Sequence, residues 1–481
     1  MKITILTAGT GSYYCGACMR DNALARELIA RGHETHLVPM YLPLRLDEER
    51  VDDKTPVFFG GINVFLQEKY GIFRRFPSWV DRLLNRPSLL RAVAKRSHLT
   101  SAREQGEMTC KMLRLEESNL GRETDKLVEW LQGEEGGPDV VLLSNALLAG
   151  LAGVLKERLG VPVVCTFQGE DSFLDGLPDP WREKAWTEMA AQVRECHALV
   201  APSRFFAGVM ESRLGLAEGA ISVVPNGIDL QGYGMAEPRK RIGFLSRMCA
   251  GKGLGRLVEA VICLDDPSIV LAVAGTMGGG DKEYVASLKA RLEKAGMSNR
   301  VEWYPDLDRA EKIAFLRSLT VFSVPTAIPE AFGLYLIEAM ACGVPVVMPR
   351  VSAFPEIVGE AGCGVLVEPG SAEDLARGLR EVIDSPDRVT MGKKVGGRWR
   401  FAIMSAQWRR LLKISWGRWW HRERDLRVEP SGRVLRDRFG GDCSFFQLLP
   451  LDGIGRARLP AKPGHSPAPR RAGMAAGRSH R

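Results

Sequence analysis

The chain has 481 residues, 45% hydrophobic and 26% charged. That balance excludes a disordered protein and suits two packed domains with residues to spare. The net charge of +8 is uneven: from Pro386 onward there are 22 Lys+Arg against 7 Asp+Glu, leaving 44 against 51 in the remainder, so a nucleic-acid partner would rest on the tail alone.

No apolar run reaches the roughly 18 residues of a spanning helix. The opening MKITILTAGTGSYY lacks the longer apolar stretch and cleavage site of a leader and reads as a first strand. Ten scattered cysteines form no spaced framework, so reduced thiols and a cytoplasmic chain are expected.

In chain order, residues 2–8 are extended and apolar and 9–19 are rich in glycine. RDNALARELIARGH then sets Leu24, Leu28 and Ile29 on one helical face before Gly32, and ETHLVPMYL resumes a strand. Residues 60–136 break this rhythm; aromatics and paired basic residues precede the helical pattern of GEMTCKMLRLEESNLGRETDKLVEWLQ, predicting a mostly helical insertion. The alternation returns as strand PDVVLLS, helix 147–159, strand VPVVCTF, helix 181–195, strand ALVAPS, a helix from Arg204 and strand 221–225. A polar linker follows at 230–238.

From 239 a second set runs through strand RIGFLS, helix 254–264, strand SIVLAVAG, helix 281–295, strand VEWYP and helix 309–318. Strand TVFSVP, helix 332–341, strands VPVVMP and GVLVEP and helix 372–384 complete it. Near-continuous apolar strands alternating with helices predict parallel sheets covered on both faces. The expected fold is therefore α/β with two Rossmann-like domains, 1–229 and 239–385.

Two strand-end loops carry the chemistry. Pro329–Gly333 presents Glu330 just before a helix, and Glu338 stands about a turn and a half into it. Backbone N–H groups at a helix start favour anions, and carboxylates accept hydrogen bonds from sugar hydroxyls. Phe244–Gly253 delivers Arg247 to a strand end and Lys252 to a glycine-bearing loop; a planar fork and a compact charge together suit a diphosphate. Taken singly, these residues read as a loop acid, a solvated helix acid, a strand-end arginine and a surface lysine.

Over about fifty residues, VFSVPTAIPEAFGLYLIEAMACGVPVVMPRVSAFPEIVGEAGCGVLVEPG resembles the E-x7-E region of glycosyltransferase family 4. The resemblance covers roughly 1–385 and is strongest from 221 to 384. It implies a GT-B fold, two Rossmann-like domains facing across a cleft, and retaining transfer of a sugar from a UDP- or GDP-linked donor. In that family the first acid contacts the donor sugar and the second holds the ribose hydroxyls. Those roles fall to Glu330 and Glu338, with Ala331, Phe332, Gly333 and Leu334 as a phosphate and sugar cradle.

Arg247 and Lys252 match the family's pair on the donor diphosphate, where positive charge stabilises the leaving group and substitutes for a metal. No metal and no resident cofactor are expected, since the nucleotide sugar is a co-substrate. The expected partners are that donor and a carbohydrate, lipid-linked or small-molecule acceptor, with no nucleic acid. The insertion could meet the acceptor or serve only packing.

In the first half, the loop 9–17 lies where Rossmann-like domains receive ligands. Tyr14 stands where a dinucleotide fingerprint needs glycine, and the resemblance gives Gly11 and Ser12 to the donor. Cys15 and Cys18 form a CxxC without a second pair and read as packing. Thr166–Asp171 resembles the family's T-x-H-G-x-D, with Gln168 replacing the histidine. Gln168 can bond a hydroxyl but exchanges no proton near neutral pH. Same-face attack, with the departing phosphate taking the acceptor proton, does not need that histidine. Pro225–Asp229 matches P-N-G-[IV]-D, a hinge at which Asn226 and Asp229 border the cleft.

Beyond 385 the grammar changes: five of the ten tryptophans lie there among clustered arginines. The segment 386–481 reads as out-of-frame or unstructured sequence, because shifting the frame near residue 394 restores a more amphipathic segment. The alternative is a peripheral contact with an anionic membrane at the inner face. An inactive sugar-nucleotide-binding relative and a nonhydrolysing sugar-nucleotide epimerase remain the rival functions.

Overall fold

A computed structural model describes residues 1–9, 16–44, 46, 48–51, 55–59, 102–115, 120–133, 137–235, 240–278, 280–387 and 391. Gly11, Ser12, Cys15, part of the linker, much of the 60–136 insertion and the tail beyond 391 lie outside the described residues.

Apolar strands build two sheets. The first has the order β2-β1-β3-β4-β5-β6, with β1 Lys2–Thr7, β2 Glu34–Pro39, β3 Val140–Leu143, β4 Val163–Thr166, β5 Ala198–Ala201 and β6 Ile221–Val223. The second has the order β12-β11-β10-β7-β8-β9, with β7 Arg241–Leu245, β8 Val270–Gly275, β9 Val301–Pro305, β10 Val321–Phe322, β11 Val346–Pro349 and β12 Gly364–Val367. Every pairing in both is parallel. These are two Rossmann-like domains, as the alternation predicts.

Strand alternation divides the first domain's core between the two faces of its sheet. Val140 and Leu142 join one cluster with Ile3 and Ile5, while Val141 and Leu143 join another with Leu6 and Phe167. Both faces are apolar because helices cover both. The described part of the insertion, helices Ala102–Leu113 and Gly121–Gly133, packs into the second of these clusters through Cys110, Leu113, Leu127 and Leu131.

The structure differs from the sequence reading in four places. Helix Phe354–Ala361 joins β11 to β12, where two successive strands were expected; Pro355 stands in its first turn, where its missing N–H costs nothing. A short helix, Glu170–Asp175, follows β4. The helix expected from 147 is a 3-10 turn, Ala146–Leu148, then Leu151–Leu159. The helix carrying Glu338 starts at Leu334 rather than near 332, because Gly333 at φ 89° breaks the turn before it.

In each sheet the chain order reverses at one point, between β1 and β3 and between β7 and β10. Loops leaving the carboxyl ends of strands diverge there and open a crevice for ligands. The segments after β7 and β10 are those that hold Arg247, Lys252 and Glu330. Among the described residues no helix is long and apolar enough to cross a membrane.

Candidate functional site

The loop after β7 is pinned onto the loop after β10. Ala327 N–H and Thr326 Oγ1 both donate to the Gly251 carbonyl, at 2.9 and 3.0 Å. Gly253 sits at φ +76°, and a Cβ there would fall 1.8 Å from the Pro325 carbonyl oxygen. Only glycine permits this approach, which brings Lys252 to Glu330. Gly253→Ala is therefore expected to destabilise the protein by about 2 kcal/mol or more through left-handed strain and the clash. Urea unfolding reads this directly; a change under about 0.5 kcal/mol would show that the loops do not depend on the contact.

Lys252 Nζ lies 2.6 Å from Glu330 Oε2, and the Tyr335 hydroxyl donates to the same oxygen at 2.7 Å. Both charged side chains are mostly covered, at 18% and 19% exposure. The Glu330 N–H donates to Ser352 Oγ. Ala331 and Phe332 complete the loop, the latter buried, before helix Leu334–Ala341 begins.

Arg247 follows β7 and pairs with Asp281, the first residue of helix Asp281–Lys294, at Nε–Oδ2 2.7 Å and Nη2–Oδ1 3.3 Å. Burial pulls the Asp281 pKa upward, but the Arg247 hydrogen bond and the Gly278 N–H outweigh it and hold the carboxyl below its usual value. The Arg247 side chain remains 59% exposed. Glu338 is buried on the helix after the loop; Lys312 Nζ at 2.6 Å and the Tyr233 hydroxyl at 3.0 Å both reach its Oε1.

The first domain meets this loop with the carboxyl ends of its own strands. Ser203, after β5, donates from Oγ to the Ala331 carbonyl at 2.7 Å while capping helix Arg204–Leu214. Glu356 of the second domain accepts from the N–H groups of Arg204 and Phe205 at that helix start, where a carboxylate is favoured by the helix dipole. A Cβ on Gly169 would lie 3.9 Å from Ala331 Cβ. The neighbouring Gln168 accepts a hydrogen bond from Asn226 Nδ2 at 3.0 Å. Its loop is shaped by buried Glu170, which takes the N–H groups of Ala146, Gln168 and Gly169. Burial raises the Glu170 pKa against those bonds.

Asp229 stands at the hinge between Arg26 and Arg309, each 3.7 Å away. Arg309 also pairs with Glu48 of the first domain and donates to the carbonyls of Asp229 and Gln231. Arg20, Glu48, Tyr233, Lys312, Leu334 and Glu338 line a narrow interdomain crevice.

The structure thus brings Lys252 directly onto Glu330 and sets Ala331 against the first domain. Glu338 is paired separately, with Lys312, and Arg247 with Asp281. Lys312, Tyr233, Tyr335 and Asp281 were not singled out from the sequence. Helix lysines and aspartates read as solvated charge, and no local pattern betrays their partners. Arg20 and Asp21 were missed as well. Both are buried; Arg20 Nη2 donates to the Ser144 carbonyl and Thr166 Oγ1, and Thr7 Oγ1 donates to Asp21, tying together the ends of β1, β3 and β4. The neighbouring Cys18 is buried too.

Residues 228–396 match the family model described as Glycosyl transferases group 1, and residues 111–231 that of Glycosyltransferase Family 4. A D-inositol 3-phosphate glycosyltransferase of Nocardiopsis dassonvillei is 28% identical over 56% of this chain and 66% of its own length. An MMP alpha-(1->4)-mannosyltransferase of Mycolicibacterium hassiacum is 30% identical over 53% of this chain and 64% of its own. The chain thus spans just under two thirds of these relatives.

Sucrose-phosphate synthase from Thermosynechococcus elongatus superposes with a TM-score of 0.62 at 16% identity, over 87% of this chain and 100% of that one. Anabaena HepE in complex with UDP and glucose gives 0.60 at 16% identity, over 86% of this chain and 100% of that one. At such identity these two structures speak for the fold, which is of the GT-B type.

Proposed function

We propose that this chain, which carries glycosyltransferase domains of the group 1 and family 4 types, is a retaining glycosyltransferase. It moves a sugar from a UDP- or GDP-linked donor onto a carbohydrate, lipid-linked or small-molecule hydroxyl. The observation that supports this best is the Lys252–Glu330 pair, held at the switch point of the second sheet by a glycine that admits no other residue. Basic groups at that position suit a diphosphate, and the carboxylate beside them suits a sugar hydroxyl. HepE, of the same fold, is solved with UDP and glucose.

In the proposed reaction the acceptor hydroxyl attacks the anomeric carbon from the face that the diphosphate leaves. The carbon–oxygen bond to phosphate breaks and its electron pair goes to the nucleoside diphosphate. Arg247 and Lys252 stabilise that developing charge, worth about 10²-fold or more per preorganised contact. The acceptor proton passes to the departing phosphate oxygen, so Gln168 needs only to hydrogen-bond. Glu330 orients the donor sugar and Glu338 the ribose.

Release of UDP or GDP from a panel of nucleotide sugars and acceptors, with the anomeric configuration of the product read by NMR, tests this reading. An inverted product would exclude the same-face route. Donor binding without release under any acceptor would favour an inactive sugar-nucleotide-binding relative. Because Arg247 and Lys252 supply the positive charge, turnover is expected to be unchanged in EDTA. Loss in EDTA restored by magnesium or manganese would show that a metal takes part.

A further inference from the structure

The two glutamates of the E-x7-E pair are held in the same way by unrelated residues. Glu330 Oε2 receives one lysine and one tyrosine, Lys252 and Tyr335. Glu338 Oε1 receives one lysine and one tyrosine as well, Lys312 and Tyr233. In each case both donors converge on a single oxygen and leave the other oxygen of the carboxylate outside the clamp. Lys252 already has a place in the proposed chemistry. Lys312 does not; it sits on helix Arg309–Arg317, buried at 8% exposure, in the crevice that also receives Glu338.

We propose that Lys312 and Tyr233 are positioning residues that fix Glu338 so that its second oxygen accepts the hydroxyls of the donor ribose, making the site selective for ribonucleotides. This rests on the proposed function, which supplies the nucleotide. A buried carboxylate is costly without a cation and hydrogen-bond donors, and Lys312 and Tyr233 meet both needs on one side. The carboxylate can then accept from a vicinal diol on the other side without rotating. Its preorganisation removes the ordering cost that a free glutamate would incur on binding.

Tyr233 also connects this clamp to the hinge. Its ring lies 5.4 Å beneath the Arg309 guanidinium, and Arg309 binds Glu48 of the first domain together with the hinge carbonyls. The ribose-facing carboxylate is therefore held by a residue that the two domains jointly position.

Calorimetric titration of UDP, GDP and their 2′,3′-dideoxy forms tests the proposal, using wild type, Lys312→Met, Lys312→Arg and Tyr233→Phe. Wild type should prefer the ribose form of whichever nucleotide it binds by roughly tenfold or more, the scale of hydrogen bonds to a charged group. Lys312→Met should lose most of that preference while its affinity for the dideoxy form stays near wild type. Lys312→Arg should recover part of it. Tyr233→Phe keeps the ion pair and so should fold even where Lys312→Met does not, and should lose a smaller part, about threefold.

Equal weakening of ribose and dideoxy forms in the variants, or an unchanged preference, would overturn the positioning role while leaving the transferase reading intact. Wild type indifferent to the ribose hydroxyls would overturn it as well. Failure of wild type to bind either nucleotide would overturn the proposed function and the positioning role with it.

Discussion

Replacing Lys252 by alanine is expected to lower kcat by about 10²- to 10³-fold, the range for losing one preorganised contact to developing negative charge. Two effects combine. On the proposed mechanism the leaving diphosphate loses a positive charge that is only 18% exposed, where solvent screens little. Among the described residues Glu330 Oε2 then keeps Tyr335, so the carboxylate proposed to orient the donor sugar loses its counter-ion. Lys252→Arg should restore little, since a planar fork cannot occupy the place of a compact ammonium.

Arg247→Ala should also lower kcat by about 10²-fold, and the two losses should not add, because both are proposed to act on the leaving diphosphate. Steady-state nucleotide release gives kcat and KM separately. A raised KM with kcat unchanged would mean that the lysine binds donor and transition state equally and stabilises no leaving group.

The largest stability effect is expected at Arg20. Arg20→Ala should cost about 3–5 kcal/mol, because it leaves Asp21 as a buried carboxyl without its cation. Both side chains are almost fully covered, at 2% and 0% exposure, with Arg20 Nη2 3.0 Å from Asp21 Oδ1. Burial raises the Asp21 pKa above 3.8, opposed by Arg20 and by hydrogen bonds with Ser144 and Thr7. Removing Arg20 deletes the strongest opposing influence and raises it further.

The sign follows. A carboxyl whose folded pKa is raised carries no penalty below its unfolded value, where both states are protonated. It loses stability as the pH climbs from there through the folded pKa. Wild type already bears that loss up to its own raised folded pKa, so the deficit of Arg20→Ala should grow with pH from there through the higher folded pKa of the variant. Adding Asp21→Asn should recover much of it by removing the charge. Urea unfolding across pH checks both; a deficit that does not vary with pH would mean that packing, not the stranded charge, accounts for the loss.

The double set of βα units was legible because apolar runs such as VVLLS and VPVVCTF have no polar face, which only strands buried on both sides require. The strand-end loops that carry Glu330, Lys252 and Arg247 were legible because a turn that needs glycine and a helix start leave local marks beside them. Helix Phe354–Ala361 was not, since Pro355 and Gly359 argue against a helix when its first-turn position is unknown. Arg20, Asp21 and Asn22 form a polar run that local rules assign to solvent, yet all three are buried. Their partners come from the ends of other strands, 124 and 146 positions away for Arg20.

The sequence by itself determined two parallel α/β domains and which loops carry the charged groups, because periodicity and turn chemistry act over a few residues. Only the tertiary structure decided what each charge faces. Lys312 is a helix lysine in sequence. It becomes a buried counter-ion because the fold brings it to Glu338, on whose Oε1 Tyr233, 105 positions earlier in the chain, converges as well. A charge is set by its neighbours in space and by the water they exclude, and neither is encoded near it along the chain.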